Sequence, residues 1–350
     1  LPIFILICFI LTGCVGVGST GLFGTGVSVA LDPRTVGTQI DDSIMQKTIS
    51  AKILAKDKKY LLSVKTKVLD GRIFVTGKVD RPTVTLLGEM FPADPVMIAA
   101  LLDPLGLAIG PTVPCREWRE LYSALDCGGV AAIHPFYTAA VREFEAAGRP
   151  IFGSAPVGVE GTNEWLDSVA GAFDVSPKKL SEAKNKFIPV IKTALASAPI
   201  NGTVTLSGYE GSELLVARLL IESGAKVPYV GTACPRTKWS LIDQEWLESH
   251  GTKVKFRASL EDDCAAMEAI KPDLAVGTTP VVQKGKELGI PSLYFTNLIS
   301  ARPLMGPAGA GSLAQVVNAA MANRGRMENM KNFFAGVGEG DTAGIWEGKP

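Results

Sequence analysis

The chain of 350 residues is long enough for two or three domains with a sizeable hydrophobic core. Its 35 basic and 35 acidic residues cancel, which argues against a nucleic-acid-binding surface, and its two histidines leave little room for a histidine metal site. The six cysteines are scattered without a Cys-x-x-Cys pair, which argues against both a zinc ribbon and a disulfide scaffold.

The first 31 residues form an apolar segment followed by a Gly-rich tether. The run LPIFILICFIL at 1–11 is too short to span a bilayer and is typical of the core of a signal peptide that lacks its Met and basic start. The following Leu-Thr-Gly-Cys resembles a bacterial lipobox, which predicts lipidation of Cys14 and attachment to an envelope membrane. The alternative is a hydrophobic tail with an incidental cysteine.

Residues 32–82 have the pattern of one helix and one hairpin. Asp41 to Lys56 has helical periodicity, and strands at 62–69 and 72–79 flank Asp70-Gly71, a strong two-residue turn signal. The segment VKTKVLDGRIFVTGKV resembles the front of a BON domain, a phospholipid-binding module of envelope lipoproteins. The further helix and strand of that family do not follow, so the resemblance implies a partial αββ module.

From residue 83 on, strands and helices alternate, which predicts an α/β fold with two parallel-sheet, Rossmann-like units. The first unit covers 83–175, a connecting helix 176–201, the second unit 202–335, and a flexible Gly-rich tail 336–350. In the first unit we expect strands at 84–87 and 130–133, and helices at 95–105 and 136–147 and after Thr162 as N-cap. In the second unit we expect strands at 203–207, 226–230, 253–256, 273–276 and 292–295, and helices at 211–223, 240–249, 260–270, 281–288 and 308–323.

Three long segments carry a second resemblance: CREWRELYSALDC (115–127), AAIHPFYTAAVREFEAAGRPI (131–151) and GSAPVGVEGT (153–162). They resemble the nitrogenase component 1-like oxidoreductases and, within them, the Y-type subunits of the chlorophyllide a reductases. The similarity runs from about Val84 to the end of the chain. It implies two Rossmann-like units of the nitrogenase component 1 type.

The resemblance also implies an activity and its partners. In such reductases a Y-type subunit pairs with a Z-type subunit, with a [4Fe–4S] cluster at their interface. A separate ATP-dependent iron–sulfur component delivers electrons, and the pair reduces a ring double bond of chlorophyllide a during bacteriochlorophyll biosynthesis. The cluster cysteines of the family lie in an N-terminal domain upstream of the matched segments. We therefore expect the cluster not to be bound by this chain alone, and the reductase part to be incomplete.

Cysteines are weak candidates for a metal site here. Cys115 and Cys127 flank one helix, whereas a cluster needs about four thiolates that converge. The favoured alternative is that both are buried thiols. Cys234 follows a predicted strand, where ligands bind in parallel sheets, and is a candidate substrate-binding residue, with a merely buried thiol as the alternative.

His134 is the candidate catalytic residue. It lies at the carboxyl end of a predicted strand, where it can donate a proton or bind a tetrapyrrole metal; the alternative is a residue that satisfies backbone groups. Tyr137 is a second candidate for contact with the substrate. The glycine-containing loops at 153–161 and 208–211 match no complete phosphate-binding motif, so no nucleotide site is predicted.

Three functions compete: a subunit of a chlorophyllide a reductase, a BON-type envelope lipoprotein carrying a non-functional passenger, and a generic sugar- or nucleotide-binding α/β protein. The first covers the greater length. Tetrapyrrole reduction is cytoplasmic, whereas the lipobox predicts export, so the compartments conflict. Residues 1–82 contain no Glu, Trp or His, unlike the remainder, which predicts a join near residue 82 between sequences of two origins.

Overall fold

The computed structural model describes residues 36–56, 64–69, 71–77, 81–88, 95–115, 117–134, 137–300 and 302–334. The chain divides into two compact units, with the boundary after Asp80. Cys14, the segment 1–31 and the tail 336–350 lie outside the described residues, so the predictions made for them stay predictions. None of the helices in the described ranges is both long and apolar enough to cross a membrane.

The first unit contains the predicted helix and hairpin. Helix α1 spans Val36–Lys56, and strands β1 (Val64–Leu69) and β2 (Arg72–Gly77) pair antiparallel. The Asp42 carboxylate accepts a hydrogen bond of 2.7 Å from the backbone N–H of Gly71, which ties α1 to the turn of the hairpin. The helix begins five residues earlier than its periodicity predicted.

The second unit begins with a four-stranded sheet. Its strands are β3 Thr83–Leu87, β4 Ala108–Val113, β5 Gly129–Ala132 and β6 Ile151–Phe152. All neighbouring strands are parallel, in the order β4-β3-β5-β6, which confirms the predicted α/β class. The helices of this part are α2 Pro95–Leu102, α3 Trp118–Leu125, α4 Thr138–Ala146 and α5 Gly158–Ala172.

A five-stranded parallel sheet follows the long helix α6, Pro177–Ala196, which continues through Pro189. The strands are β7 Thr203–Gly208, β8 Lys226–Thr232, β9 Lys253–Phe256, β10 Leu274–Gly277 and β11 Ser292–Tyr294. Their order is β11-β10-β7-β8-β9. The helices are α7 Glu213–Glu222, α8 Lys238–Ser249, α9 Leu260–Ile270, α10 Thr279–Leu288, α11 Phe295–Ser300, α12 Gly306–Met321 and α13 Arg324–Phe334.

The prediction that Thr162 caps α5 is wrong. The helix begins at Gly158, and the Thr162 hydroxyl donates a hydrogen bond of 2.6 Å to the carbonyl of Gly158 from within the helix. The first N–H groups of α5 are instead bound by the carboxylate of Glu222, which lies at the end of α7. A side chain distant in sequence therefore replaces the local cap.

The two sheets of the second unit share one hydrophobic core. Val84 and Leu86 of β3 belong to the same buried cluster as Leu206 of β7 and the inner faces of α6 and α12. Helix α12 packs on α6, α5 and α2, as well as on β10. Helix α12, which lies near the end of the described chain, therefore completes the hydrophobic core of the first sheet.

Candidate functional site

Each parallel sheet has one place where the strand order reverses, and ligands of open parallel sheets bind outside the carboxyl ends of the strands at such places. This place lies between β3 and β5 in the first sheet and between β7 and β10 in the second. His134 follows β5, and Glu210 follows β7. The Nε2 atom of His134 lies 2.7 Å from the carbonyl oxygen of Glu210, so the two places adjoin.

A cleft of about 380 Å³ opens outside β7, β10 and β11. Two exposed tyrosine rings, several hydroxyl groups and one carboxyl group line it, from Tyr209, Glu210, Thr278, Thr279, Tyr294, Thr296 and Asn297. The Thr296 hydroxyl donates a hydrogen bond of 2.8 Å to Glu210 Oε1. Thr278 precedes α10, and its side chain accepts no hydrogen bond from the first N–H groups of that helix. Such a cleft suits a planar, aromatic ligand that carries a polar oxygen.

His134 is buried, with 4% of its surface exposed. Because a carbonyl oxygen only accepts hydrogen bonds, Nε2 is the protonated nitrogen in its contact with Glu210. The Tyr137 ring packs edge-on against the imidazole, with ring centroids 5.8 Å apart. His134 thus contacts the Glu210 backbone and Tyr137 contacts His134, and the roles of both candidates in catalysis and substrate binding stay predictions.

Cys234 lies after β8 at a carboxyl end, as predicted, but its thiol is 1% exposed. Burial, and then the charge of Glu213, raise the pKa of this thiol to about 12. Its Sγ atom lies 3.4 Å from the carbonyl oxygen of Pro235. The thiol, Ser154 and Asp243 line a void of only about 20 Å³. Such a volume holds about one water molecule. A thiolate is strongly disfavoured in this place.

The described cysteines do not fit an iron–sulfur cluster. Cys127 is fully buried in an apolar cluster with Leu87 and Val130, and Cys115 is a half-buried thiol after β4. Burial, and then the charge of Glu120, raise the pKa of Cys115. Nowhere in the described ranges do three or more His, Cys, Asp or Glu side chains gather as metal ligands do. No step of a reaction is therefore assigned to a cluster held by these residues.

Sequence reasoning missed Glu213, the first residue of α7. Its side chain is completely buried and accepts hydrogen bonds from the backbone N–H groups of Glu210 (2.8 Å) and Gly211 (3.0 Å) and from the Thr232 hydroxyl (2.6 Å). Burial raises the pKa of this carboxyl, and the hydrogen bonds oppose that effect. The incomplete glycine motif at 208–211 was the available signal, because an acidic residue follows it where an anion would otherwise bind.

A buried ionic network lies beside the site. Arg218 of α7 binds Asp243 of α8 and Glu164 of α5, and Ser154 after β6 donates a hydrogen bond of 2.8 Å to Asp243. The Arg218 guanidinium also lies over the ring of Trp246, 4.8 Å from its centroid. These contacts connect the carboxyl side of the first sheet to two helices of the second.

Comparison with known proteins gives closely related sequences. The chain is 74% identical over 276 residues to the chlorophyllide reductase 52.5 kDa chain of Cereibacter sphaeroides. The aligned region covers 79% of this chain and 55% of that protein. It is 73% identical over 276 residues to the corresponding protein of Rhodobacter capsulatus, with coverages of 79% and 56%. The chain thus spans about half the length of these relatives.

More distant relatives indicate the same fold. One of the light-independent protochlorophyllide reductase subunits of Methylobacterium radiotolerans is 24% identical over 240 residues, covering 65% of this chain and 45% of that protein. A solved structure titled nitrogenase Cp1 at pH 5 superposes with a TM-score of 0.56 at 18% identity, covering 70% of this chain and 58% of that one.

A family model described as nitrogenase component 1 type oxidoreductase matches residues 44–322. The match extends across residue 82 into the segment predicted to be BON-like, an interpretation that stays a prediction. The resemblance carried by the segments at 115–162 is confirmed. This chain belongs to the nitrogenase component 1 type oxidoreductase family.

Proposed function

We propose that the chain forms part of a chlorophyllide reductase, which reduces a ring double bond of chlorophyllide a. The observation that carries this proposal is the 74% identity over 276 residues to a chlorophyllide reductase chain. Identity at this level preserves core packing and surface chemistry together, whereas the fold alone would leave the activity open.

The cleft outside β7, β10 and β11 supports the proposal. Tyr209 and Tyr294 can stack on a macrocycle, and the N–H group of Thr279, the first residue of α10, suits a carboxylate or carbonyl oxygen of the pigment. The cleft of about 380 Å³ is open, so it encloses one side of the pigment and leaves the other for a second protein surface.

Reduction of a carbon–carbon double bond adds two electrons and two protons. We assign the electrons to a separate ATP-dependent iron–sulfur component and the [4Fe–4S] cluster to the assembled complex with a Z-type subunit. Glu210 is a half-buried carboxyl group that lines the cleft, and the Thr296 hydroxyl orients it. It is the proposed donor of one of the two protons, and solvent at the open side of the cleft supplies the other.

A segment exchange tests this function. Residues 81–334 would replace the matching segment of the Rhodobacter capsulatus chain, in a strain that lacks its own copy. We expect bacteriochlorophyll synthesis to return and the hybrid protein to co-purify with the Z-type subunit. Accumulation of chlorophyllide a despite normal amounts of hybrid protein and partner would rule out the proposal.

A matched pair of variants tests the proton donor in the same hybrid. Glu210→Gln keeps the size of the side chain but removes the proton, so turnover should fall at least tenfold with little change in pigment affinity. Glu287→Gln alters an exposed carboxyl on α10 outside the cleft and should leave turnover unchanged. Equal turnover in the two variants would remove Glu210 from the mechanism.

We also propose a cytoplasmic location for the part from residue 81 on, because ATP and ferredoxin-type donors act there. Cell fractionation with an antibody against this part tests the proposal. Recovery in the envelope fraction, lost in a Cys14→Ala variant, would favour the lipoprotein prediction instead.

A further inference from the structure

Glu213 is an unusual buried acid. Its side chain is inaccessible to solvent, and none of the ion pairs among the described residues involves it. Burying a carboxyl group without a cationic partner costs free energy unless hydrogen bonds satisfy its oxygens. Here three donors converge on the two oxygens, so hydrogen bonds offset the cost of burying this acid.

The donors show what Glu213 holds. Two are consecutive backbone N–H groups, of Glu210 and Gly211, in the loop between β7 and α7. The third is the hydroxyl of Thr232 at the end of β8. The carboxyl group therefore ties the loop to the neighbouring strand. The close approach of the carboxyl group also requires glycine at position 208, since a Cβ atom there would lie 2.6 Å from Glu213 Oε1.

The loop in turn carries both contacts at the site. The carbonyl of Glu210 accepts the hydrogen bond of His134 from the first sheet, and its carboxylate accepts that of Thr296 beside the cleft. A displacement of the loop would move the two groups together. The chain of contacts runs from β8 through Glu213 and the loop to the first sheet.

We propose that Glu213 is a positioning residue, whose carboxyl group fixes the loop 208–211 and thereby places His134 and Glu210. The contacts made by Glu213 do not depend on the ligand. Only the effect of Glu213 on pigment binding rests on the proposed function. A glutamine at 213 cannot replace the acid, because its amide group has one acceptor oxygen and would turn an N–H₂ donor toward other donors.

The two histidines of the chain, His134 and His250, give a direct readout. In a long-range ¹H–¹⁵N spectrum of the full-length protein, we expect Glu213→Gln to shift or broaden the His134 ring signals and to lower the fraction of its Nε2-protonated tautomer. The His250 signals should stay unchanged, because that ring stacks on Trp246 and bonds to its carbonyl in α8, away from the loop.

Glu222→Gln is the matched control. Glu222 also accepts hydrogen bonds from two consecutive backbone N–H groups, those of Val159 and Glu160, and its pKa is also raised by burial. It holds α5 rather than the loop, so this variant should lose stability without altering the His134 signals. Unchanged His134 signals in Glu213→Gln, or equal shifts in both variants, would overturn the proposal.

A milder variant covers the case in which Glu213→Gln does not fold. Thr232→Val removes one donor and leaves both backbone donors in place, so a smaller shift of the His134 signals in the same direction is expected; an unchanged spectrum would again overturn the proposal.

Titration with chlorophyllide a is a separate experiment. If the wild-type protein binds no pigment, the proposed function fails, while the histidine spectra still decide the role of Glu213.

Discussion

Arg218 Nη1 lies 2.7 Å from Asp243 Oδ1, and the two side chains are only 1% and 6% exposed. Burial favours the neutral form of Asp243 and raises its pKa, while the adjacent guanidinium opposes that effect. The second nitrogen of Arg218 binds Glu164, 3.0 Å away and half exposed. The pair therefore joins α7, α8 and α5 through one desolvated cation.

Truncating this cation should be costly. Arg218→Leu leaves Asp243 buried without its partner, so we expect the free energy of unfolding to fall by about 3–5 kcal/mol. The double variant Arg218→Leu/Asp243→Leu should recover part of the loss, because no lone charge remains. Urea unfolding checks both. Arg324→Leu is the control, since Arg324 and its partner Glu328 are exposed and Asp273 is only half-buried, and its cost should stay below about 1 kcal/mol.

Stability should depend on pH through Asp263. Burial raises the pKa of this carboxyl to about 6, although a hydrogen bond of 2.8 Å from the Tyr229 hydroxyl opposes the shift. Between about pH 4 and 6 the native state keeps a proton that the unfolded chain has released. The free energy of unfolding should therefore fall as pH rises through this window, by up to about 3 kcal/mol.

The Asp263→Asn variant should reduce that fall and be the more stable protein above pH 6. The control is Asp262→Asn. Asp262 is paired with Lys255, and its pKa is lowered to about 2, so its contribution is lost only as pH falls below about 4 and the slope between pH 4 and 6 should persist. Urea unfolding at half-unit pH intervals separates the two. A wild-type slope near zero from pH 4 to 6 would contradict the assignment.

Alkylation should distinguish the cysteines. With a pKa of about 12, about one in 10⁴ of the Cys234 thiols is ionised at pH 8, and the group is almost inaccessible. Iodoacetamide should therefore modify the half-buried Cys115 in the native protein and reach Cys234 only after unfolding. Peptide mass mapping measures both rates. If Cys234 is modified as fast as Cys115, the Cys234 thiol is reactive, and this result would support Cys234 as a substrate-binding residue.

A glycine pair tests the packing of α12. A methyl group at Gly309 would collide with the backbone carbonyl of Leu304, so Gly309→Ala should destabilise the protein by about 1–3 kcal/mol although alanine favours helices. Gly171 of α5 has open space, and Gly171→Ala should stabilise by about 0.5–1 kcal/mol. Thermal unfolding of both variants gives the comparison; the same sign for both would contradict the packing.

Alternation of strands and helices was sufficient to predict the α/β class, because buried parallel strands are short apolar runs and the helices between them end at glycines such as Gly148 and Gly289. Strand β4 was missed because Gly110 and Pro111 interrupt it. The order of strands within each sheet is a tertiary property that periodicity does not contain.

The candidate site was only partly predictable for a related reason. His134 and Cys234 were found because both follow strands, and the carboxyl edge of a parallel sheet is a general site for ligands. Their surroundings come from residues far away in sequence: Glu210 is 76 residues from His134, and Glu222 replaces Thr162 as the cap of α5 from about 60 residues away. Glu213 was missed because the incomplete glycine motif at 208–211, the local signal that was available, does not show that the acid after it folds back onto the loop.

The shared core of the two sheets has a consequence for synthesis on the ribosome. All four strands of the first sheet have been translated once Phe152 is made, yet α12, which packs on α2, α5 and α6, ends only at Met321. At about 5–20 residues per second, the nascent first sheet would present its apolar helix faces for about ten to thirty seconds before they are covered. Chaperones that bind exposed apolar surface would have that interval in which to act, and a slow stretch of codons before residue 306 would lengthen it.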